Sequence, residues 1–196
     1  MKRLSLSVLA AISLSGCVVQ DYNMMSNDSG VPEEALSEFC PKLNCSYDKI
    51  KGNVQATISD MNTAVLLLSG TETRNIQYTW VSSSTSIIVD VFHKRLTNDW
   101  SMFSKAEIYI DRELAASIDS QTDRWVGKYN QVSSQFERIE KVRGVISLDQ
   151  AKKIASADPS TVTIRFYGKD GYSDETISSD HNLLYLVRLA EAASNN

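Results

Sequence analysis

The chain has 196 residues, of which 42% are hydrophobic, and its 20 basic and 24 acidic side chains give a net charge of −4. This acidic balance argues against nucleic acid as a ligand and against a polybasic patch on anionic lipid, because both depend on an excess of Lys and Arg. The length suits one domain, which can bury a core without help from metals or many disulfides.

The beginning of the chain has the pattern of an export signal. Lys2 and Arg3 precede a short apolar stretch that runs from Leu4 to Leu14 and ends at the small residues Ser15 and Gly16. About eleven apolar residues are too few to span a bilayer as a helix, and small residues suit the pocket of a signal peptidase. The alternatives are an ordinary cleaved signal or a buried apolar strand of a cytosolic protein.

The sequence Leu14-Ser15-Gly16-Cys17 resembles the lipobox of bacterial lipoproteins. This resemblance implies that residues 1–16 are removed and that Cys17, acylated with fatty acids such as palmitate, becomes the first residue of the mature chain. Each buried methylene of an acyl chain contributes about 0.8 kcal/mol, so two or three chains make attachment effectively permanent. Val18 stands where the inner-membrane retention signal of lipoproteins has Asp, which implies the outer membrane in a cell with two membranes. The rest of the chain resembles no family that we recognise.

Cys40 and Cys45 remain as a pair once Cys17 is assigned to the lipid. Removal of residues 1–16 leaves 18 basic and 24 acidic residues, a net charge of −6. In an exported protein such a pair predicts a disulfide, and its small loop places the stabilisation at the low end of the few kcal/mol that are typical. A metal site is the alternative, but it needs two further ligands, and the two histidines stand alone and far away in sequence. We therefore predict no metal or cofactor.

The first part of the mature chain is polar and rich in turn-forming residues. We predict a lipidated N-terminus and flexible tether over residues 17–38, with an r.m.s. span of about 20–25 Å, and a single globular domain over residues 39–196. A short helix from Pro32 to Phe39 can lead into the cysteine loop, because Pro and acidic residues favour a first helical turn.

Alternation of apolar and polar residues predicts most of the strands. These are residues 50–58, 64–69, 75–80, 87–92, 106–110, 114–118, 138–146, 162–166 and 172–177. A helix from Arg112 to Ile118 competes with one of these strands, and a helical spacing of apolar residues also fits the segment from Arg138 to Ile146. The alternation assigns Trp80 to the core.

Two helices are predicted late in the chain. Ser147 and Gln150 have the spacing of a capping box, which begins a helix over about residues 148–157. Residues 178–180 can cap a second helix, over about residues 180–193, whose apolar stripe includes Leu183 and Leu186. Neighbouring strands without regular alternation with helices predict an α+β fold with a mainly antiparallel sheet of roughly six to eight strands.

Catalytic motifs are absent from the sequence. His93 has Asp90 three residues before it, and His181 is beside Asp180, so a triad with a serine such as Ser104 can be imagined. However, the sequence has no G-x-S-x-G elbow and no supported S-x-x-K motif, and we assign no catalytic residue. A membrane-tethered hydrolase with an unrecognised site is the alternative function.

Trp100 and Trp125 are the predicted binding surface. Both lie beside polar segments that are typical of loops, and rigid aromatic rings bury much apolar area on a partner at a low entropic cost. The alternative is that both rings close the end of the sheet. We therefore predict a non-catalytic envelope lipoprotein that binds another envelope protein, peptidoglycan or a small ligand.

Overall fold

The structure is a computed structural model, which describes residues 21–67, 70–176 and 182–195. These ranges contain four α-helices and ten β-strands. The helices are α1 Tyr22–Ser29, α2 Glu33–Phe39, α3 Leu148–Ser156 and α4 Leu183–Ser194. The strands are β1 Asn44–Asp48, β2 Asn53–Leu67, β3 Gly70–Val81, β4 Ser86–Leu96, β5 Lys105–Ile110, β6 Glu113–Ile118, β7 Gln121–Asn130, β8 Gln135–Ser147, β9 Val162–Gly168 and β10 Gly171–Thr176.

The strands form two antiparallel sheets. The larger sheet has the order β1-β2-β3-β4-β8-β7, and the smaller sheet has the order β10-β9-β5-β6. The α+β class, the antiparallel pairing and the two late helices are therefore confirmed. The strand count within the described ranges exceeds the predicted six to eight, because β1 and β7 are short or polar edge strands whose sequences show no clear alternation.

Two boundaries of predicted strands were wrong. Ile50 was assigned to a strand but lies in the turn between β1 and β2, with 97% of its surface exposed. The segment predicted as a separate strand over residues 64–69 is the far end of β2 as far as Leu67, and its last two residues lie outside the described ranges. The competing helix at Arg112 does not form, because Asp111 and Arg112 have φ of 50° and 71° and make the tight turn of the β5–β6 hairpin.

The predicted capping box begins α3. The Gln150 amide nitrogen donates to Ser147 Oγ at 3.1 Å, and the Ser147 amide donates to Gln150 Oε1 at 2.9 Å. Gln150 Nε2 also donates to the Ala115 carbonyl, which ties the start of α3 to β6. In α4 the predicted apolar stripe is buried, and Asn182 precedes the first helical residue. The proposed cap at Asp180 lies outside the described ranges.

Residues 21–38, predicted as part of a flexible tether, are largely helical: α2 confirms the short helix predicted from Pro32 to Phe39, whereas α1 was not predicted. This segment forms α1 and α2, and Met25, Val31 and Leu36 are each 2% exposed or less in the common hydrophobic core. The sequence signal is weak, because these apolar residues are sparse and become buried only through packing on α4 and β2. Directly after α2, the predicted Cys40–Cys45 disulfide is present, with Cα atoms 5.4 Å apart.

The core lies on one face of the larger sheet, which we call the inner face. Trp80, Val89 and Val142 point to this face and are buried, as predicted for Trp80, whose Nε1 donates to the Ser84 carbonyl at 3.0 Å. None of the helices in the described ranges is long and apolar enough to cross a membrane.

Candidate binding cleft

Charged residues replace apolar ones towards one end of the inner face. Because side chains on one face recur every second residue, Ile76 is followed on that face of β3 by Arg74 and Glu72. On β4 the same change occurs from Val91 to His93. The register aligns these residues across the sheet in two rows. The first row is Arg74, His93, Glu140 and Arg124, and the second row is Glu72, Arg95, Arg138 and Val126.

His93 lies at the centre of a buried network of charges. It is 7% exposed, and its Nε2 lies 2.8 Å from Glu72 Oε1, while its Nδ1 lies 3.9 Å from Glu140 Oε2. Arg74 donates to Glu72 through Nη2 at 2.6 Å and to Glu175 of β10 through Nη1 at 2.7 Å. The network therefore links three strands of the larger sheet to the smaller sheet.

Glu140 is 1% exposed and holds the segment between β4 and β5. Its carboxylate accepts hydrogen bonds from the backbone amides of Ser101 and Phe103, both at 2.9 Å, and from Arg124 Nε at 3.0 Å. Arg124 Nη2 also donates to the Phe103 carbonyl at 2.9 Å. A buried carboxylate is tolerated only with such partners, because an unpaired charge in the interior costs several kcal/mol.

The same segment, residues 97–104, is also fastened to the smaller sheet. The Ser101 carbonyl accepts from the Lys169 amide at 2.9 Å, and the Ser104 amide donates to the Tyr167 carbonyl at 3.0 Å. A Cβ at Gly168 would lie 2.6 Å from the Ser101 carbonyl oxygen, so this close approach of two backbones requires glycine. The segment is thus held from both sheets.

A cleft of about 170 Å³ opens between the charged rows, this segment and the β9–β10 hairpin. Its walls include Glu72, Arg74, His93, Arg95, Phe166 and Tyr172. Phe166 is covered by the Arg74 guanidinium at 4.8 Å from the ring centroid, and Tyr172 is 62% exposed at the mouth. The cleft therefore combines fixed charges with aromatic surface, and its volume suits one small group of a larger molecule, since pockets for whole ligands measure roughly 300–1,000 Å³.

The network holds the pKa of Glu72 at about 2. The hydrogen bond with His93 is the main cause, burial opposes it, and the positive charge of Arg74 lowers the pKa further. Glu72 is therefore a carboxylate throughout the physiological range, and it serves as a fixed negative charge in the cleft wall.

The two predicted binding tryptophans do not form one surface. The Trp100 ring lies on the inner side of the sheet, with the Arg138 guanidinium 5.0 Å from its centroid. Trp125 is 41% exposed and belongs to strand β7, so its assignment to a loop was wrong. It pairs with Ile139, and it therefore points to the opposite face from its neighbour Arg124.

The Ser-His-Asp triad that was considered from the sequence does not form among the described residues. Asp90 points to the outer face and accepts both of its hydrogen bonds from Arg143 at 2.7 Å. Ser104 is exposed, and His181, like Cys17, lies outside the described ranges. Within those ranges no group of three or more His, Cys, Asp or Glu side chains could hold a metal ion.

Sequence reasoning missed Glu72, Arg74 and Glu140. A signal for Glu72 and Arg74 was present, since both lie an even number of residues from Ile76, Tyr78 and Trp80 and so share their face of β3.

Comparison with protein-family models, with curated proteins and with solved structures found no match to this chain. The function is therefore argued from the residues themselves.

We expect the acid stability of the protein to depend on Glu72. Its folded pKa of about 2 lies below the ordinary value near 4.5, so its contribution is present above about pH 4.5 and is lost as the pH falls towards 2. Glu72→Gln should lower the unfolding free energy at pH 7 and flatten its decrease between pH 4.5 and 2. Urea titrations across this range measure both effects. Glu113→Gln, at an exposed position, is the matched control, and equal pH profiles for Glu72→Gln and the wild type would contradict the network.

Proposed function

We propose that this chain is a membrane-anchored envelope lipoprotein whose domain binds a partner without catalysis. The anchor is the acylated Cys17 in the outer membrane, and the bound molecule is another envelope protein, peptidoglycan or a small ligand. The binding surface is the cleft between the two sheets.

The anchoring is supported by the sequence Leu14-Ser15-Gly16-Cys17, and Cys17 lies only a few residues before the fold begins. Helix α1 begins at Tyr22, and five residues of extended chain span at most about 18 Å. The domain therefore stays close to the head groups and does not move on a long tether. The exposed Glu33 and Glu34 of α2 disfavour contact with anionic lipid, which leaves the acyl chains as the membrane contact.

The surroundings of His93 are the single observation that carries the non-catalytic role. A catalytic histidine in a Ser-His-acid arrangement directs one ring nitrogen at the acid and the other at the nucleophile hydroxyl. The two ring nitrogens of His93 instead face the carboxylates of Glu72 and Glu140, and no hydroxyl of the described residues is bonded to the ring. This arrangement fixes charges in place but leaves no base directed at a nucleophile.

A tethered hydrolase remains the second candidate, because one feature favours it. The cleft gathers His93, Glu72 and Ser101 around one concave surface. In this alternative, His93 would have to leave a carboxylate before it could accept a proton from a hydroxyl. A hydrolysis that is measured with the purified protein and abolished by His93→Ala would establish this candidate and end the non-catalytic proposal.

For the anchor, we expect mass spectrometry of the mature N-terminal peptide to show an acylated Cys17. Cys17→Ser should leave an unprocessed precursor or release the protein from the membrane fraction, because the acyl chains are the attachment. An unmodified thiol at Cys17, or an uncut Met1 in membrane-bound wild-type protein, would contradict the proposal.

For binding, we expect Tyr172→Ala to weaken the capture of a partner from detergent-solubilised envelope by the lipidated protein. The reason is that Tyr172 is the most exposed aromatic ring at the mouth of the cleft, so its loss removes contact area but no core packing. Thermal unfolding of the same variant should match the wild type. Trp125→Ala, on the outer face, is the control and should retain the same captured partner. Loss of capture with Trp125→Ala but not with Tyr172→Ala would move the binding surface to the β7 edge and contradict the cleft.

A further inference from the structure

Of the eight arginines in the described ranges, four are paired with acids, two are exposed, and two are half-buried without an ion pair. Four of the arginines that the structure describes bind a carboxylate, namely Arg74, Arg124, Arg143 and Arg165. Arg112 and Arg188 are exposed to water and need no partner. Arg95 and Arg138 are half-buried, and neither has an ion pair with an acid of the described ranges.

Arg95 and Arg138 lie directly opposite each other. They are cross-strand partners on β4 and β8, on the inner face of the sheet, and Arg95 forms part of the cleft wall. Like charges at such positions repel, since the Cβ atoms of opposed residues are only about 4.5–5.5 Å apart. Glu72, opposite Arg95 on β3, makes no ion pair with either arginine, and its Oε1 is bonded to Arg74 and His93.

The Arg138 guanidinium is held in a fixed orientation. Its central carbon lies 5.0 Å from the Trp100 ring centroid and 5.7 Å from that of Phe136, and such stacking orients the planar group. Its Nε is buried and lacks an acceptor. A buried donor without a partner is costly, so this site is unsatisfied in the isolated chain. The nearby carboxylate of Asp99 is engaged by Lys169 and by the Trp100 amide.

We propose that Arg95 and Arg138 form an oxyanion site, which receives a carboxylate or phosphate group of the molecule bound in the cleft. Two guanidinium groups offer planar pairs of donors that match the oxygens of either group. The bound anion relieves the repulsion between the arginines and accepts hydrogen bonds from their guanidinium groups. This inference rests on the proposed binding role of the cleft, and it assigns the chemistry of the bound group.

The test is a titration of the full-length protein in detergent micelles with inorganic phosphate and, separately, with succinate. Sodium chloride at equal ionic strength is the reference. We expect a saturable shift of the arginine Nε–Hε resonances of Arg138 and a rise in melting temperature with at least one of the two anions. Arg95→Gln and Arg138→Gln should each weaken binding on the order of tenfold, because each removes one charged fork. In the absence of anion, both variants should have a melting temperature at or above that of the wild type, which shows that they fold.

Arg112→Gln is the matched control, because it removes the same charge from an exposed turn and should leave anion binding unchanged. Binding of phosphate alone identifies a phosphate group, and binding of succinate alone identifies a carboxylate. The proposed site would be overturned if neither anion bound more tightly than chloride. It would also be overturned if Arg95→Gln and Arg138→Gln bound the anions as tightly as the wild type does. If the Arg95→Gln/Arg138→Gln double variant still captured the envelope partner, the oxyanion site alone would be overturned. If the wild type bound the anion but captured no partner, only the proposed binding function would be overturned.

Discussion

The buried carboxylate of Glu140 is the constraint on which the cleft depends. It is 1% exposed, and its oxygens accept from the amides of Ser101 and Phe103 and from Arg124. An ion in the interior costs several kcal/mol when its partners are removed, so these groups are required together. One side chain therefore fastens the segment before β5 to the larger sheet and joins it to Arg124 of the edge strand β7.

The remaining charges follow from this arrangement. His93 packs between Glu140 and Glu72, and Arg74 carries the network across to Glu175 of the smaller sheet. Replacement of such a network by apolar residues is often neutral or stabilising, so stability alone is a weak reason to retain it. The binding role that we propose would account for it, because fixed charges and two arginines without an ion pair can recognise a partner by its charge pattern.

The fold was largely predictable from the sequence where one face of an element is buried. The alternation around Ile76 and Trp80 and the capping box at Ser147 each describe a local physical requirement, and both predictions hold. The strand β7 was missed because none of its residues is buried, so its apolar residues, such as the adjacent Trp125 and Val126, do not alternate with polar ones. Helix α1 was missed because its burial depends on packing against distant elements, which no local pattern of its own sequence records.

The candidate site was less predictable than the fold. Its side chains come from segments far apart in the chain, with Glu72, His93 and Glu140 brought together only by the strand register. The alternation of side chains along β3 assigns Glu72 to the same face as Trp80. However, no local pattern in the sequence indicates that β8 pairs with β4. Trp100 was chosen because it lies beside polar residues that are typical of loops, and its contact with Arg138 depends on the same pairing.

Amide hydrogen exchange at Ser101 and Phe103 tests the role of Glu140 most directly. Neither amide is bonded to the backbone, so protection at these two positions depends on the Glu140 carboxylate. We expect both amides to exchange more slowly than that of Met102 between them, and at least one to lose its protection in Glu140→Gln, whose amide group keeps a single acceptor oxygen. Exchange of all three amides at the same rate in the wild type would contradict the account.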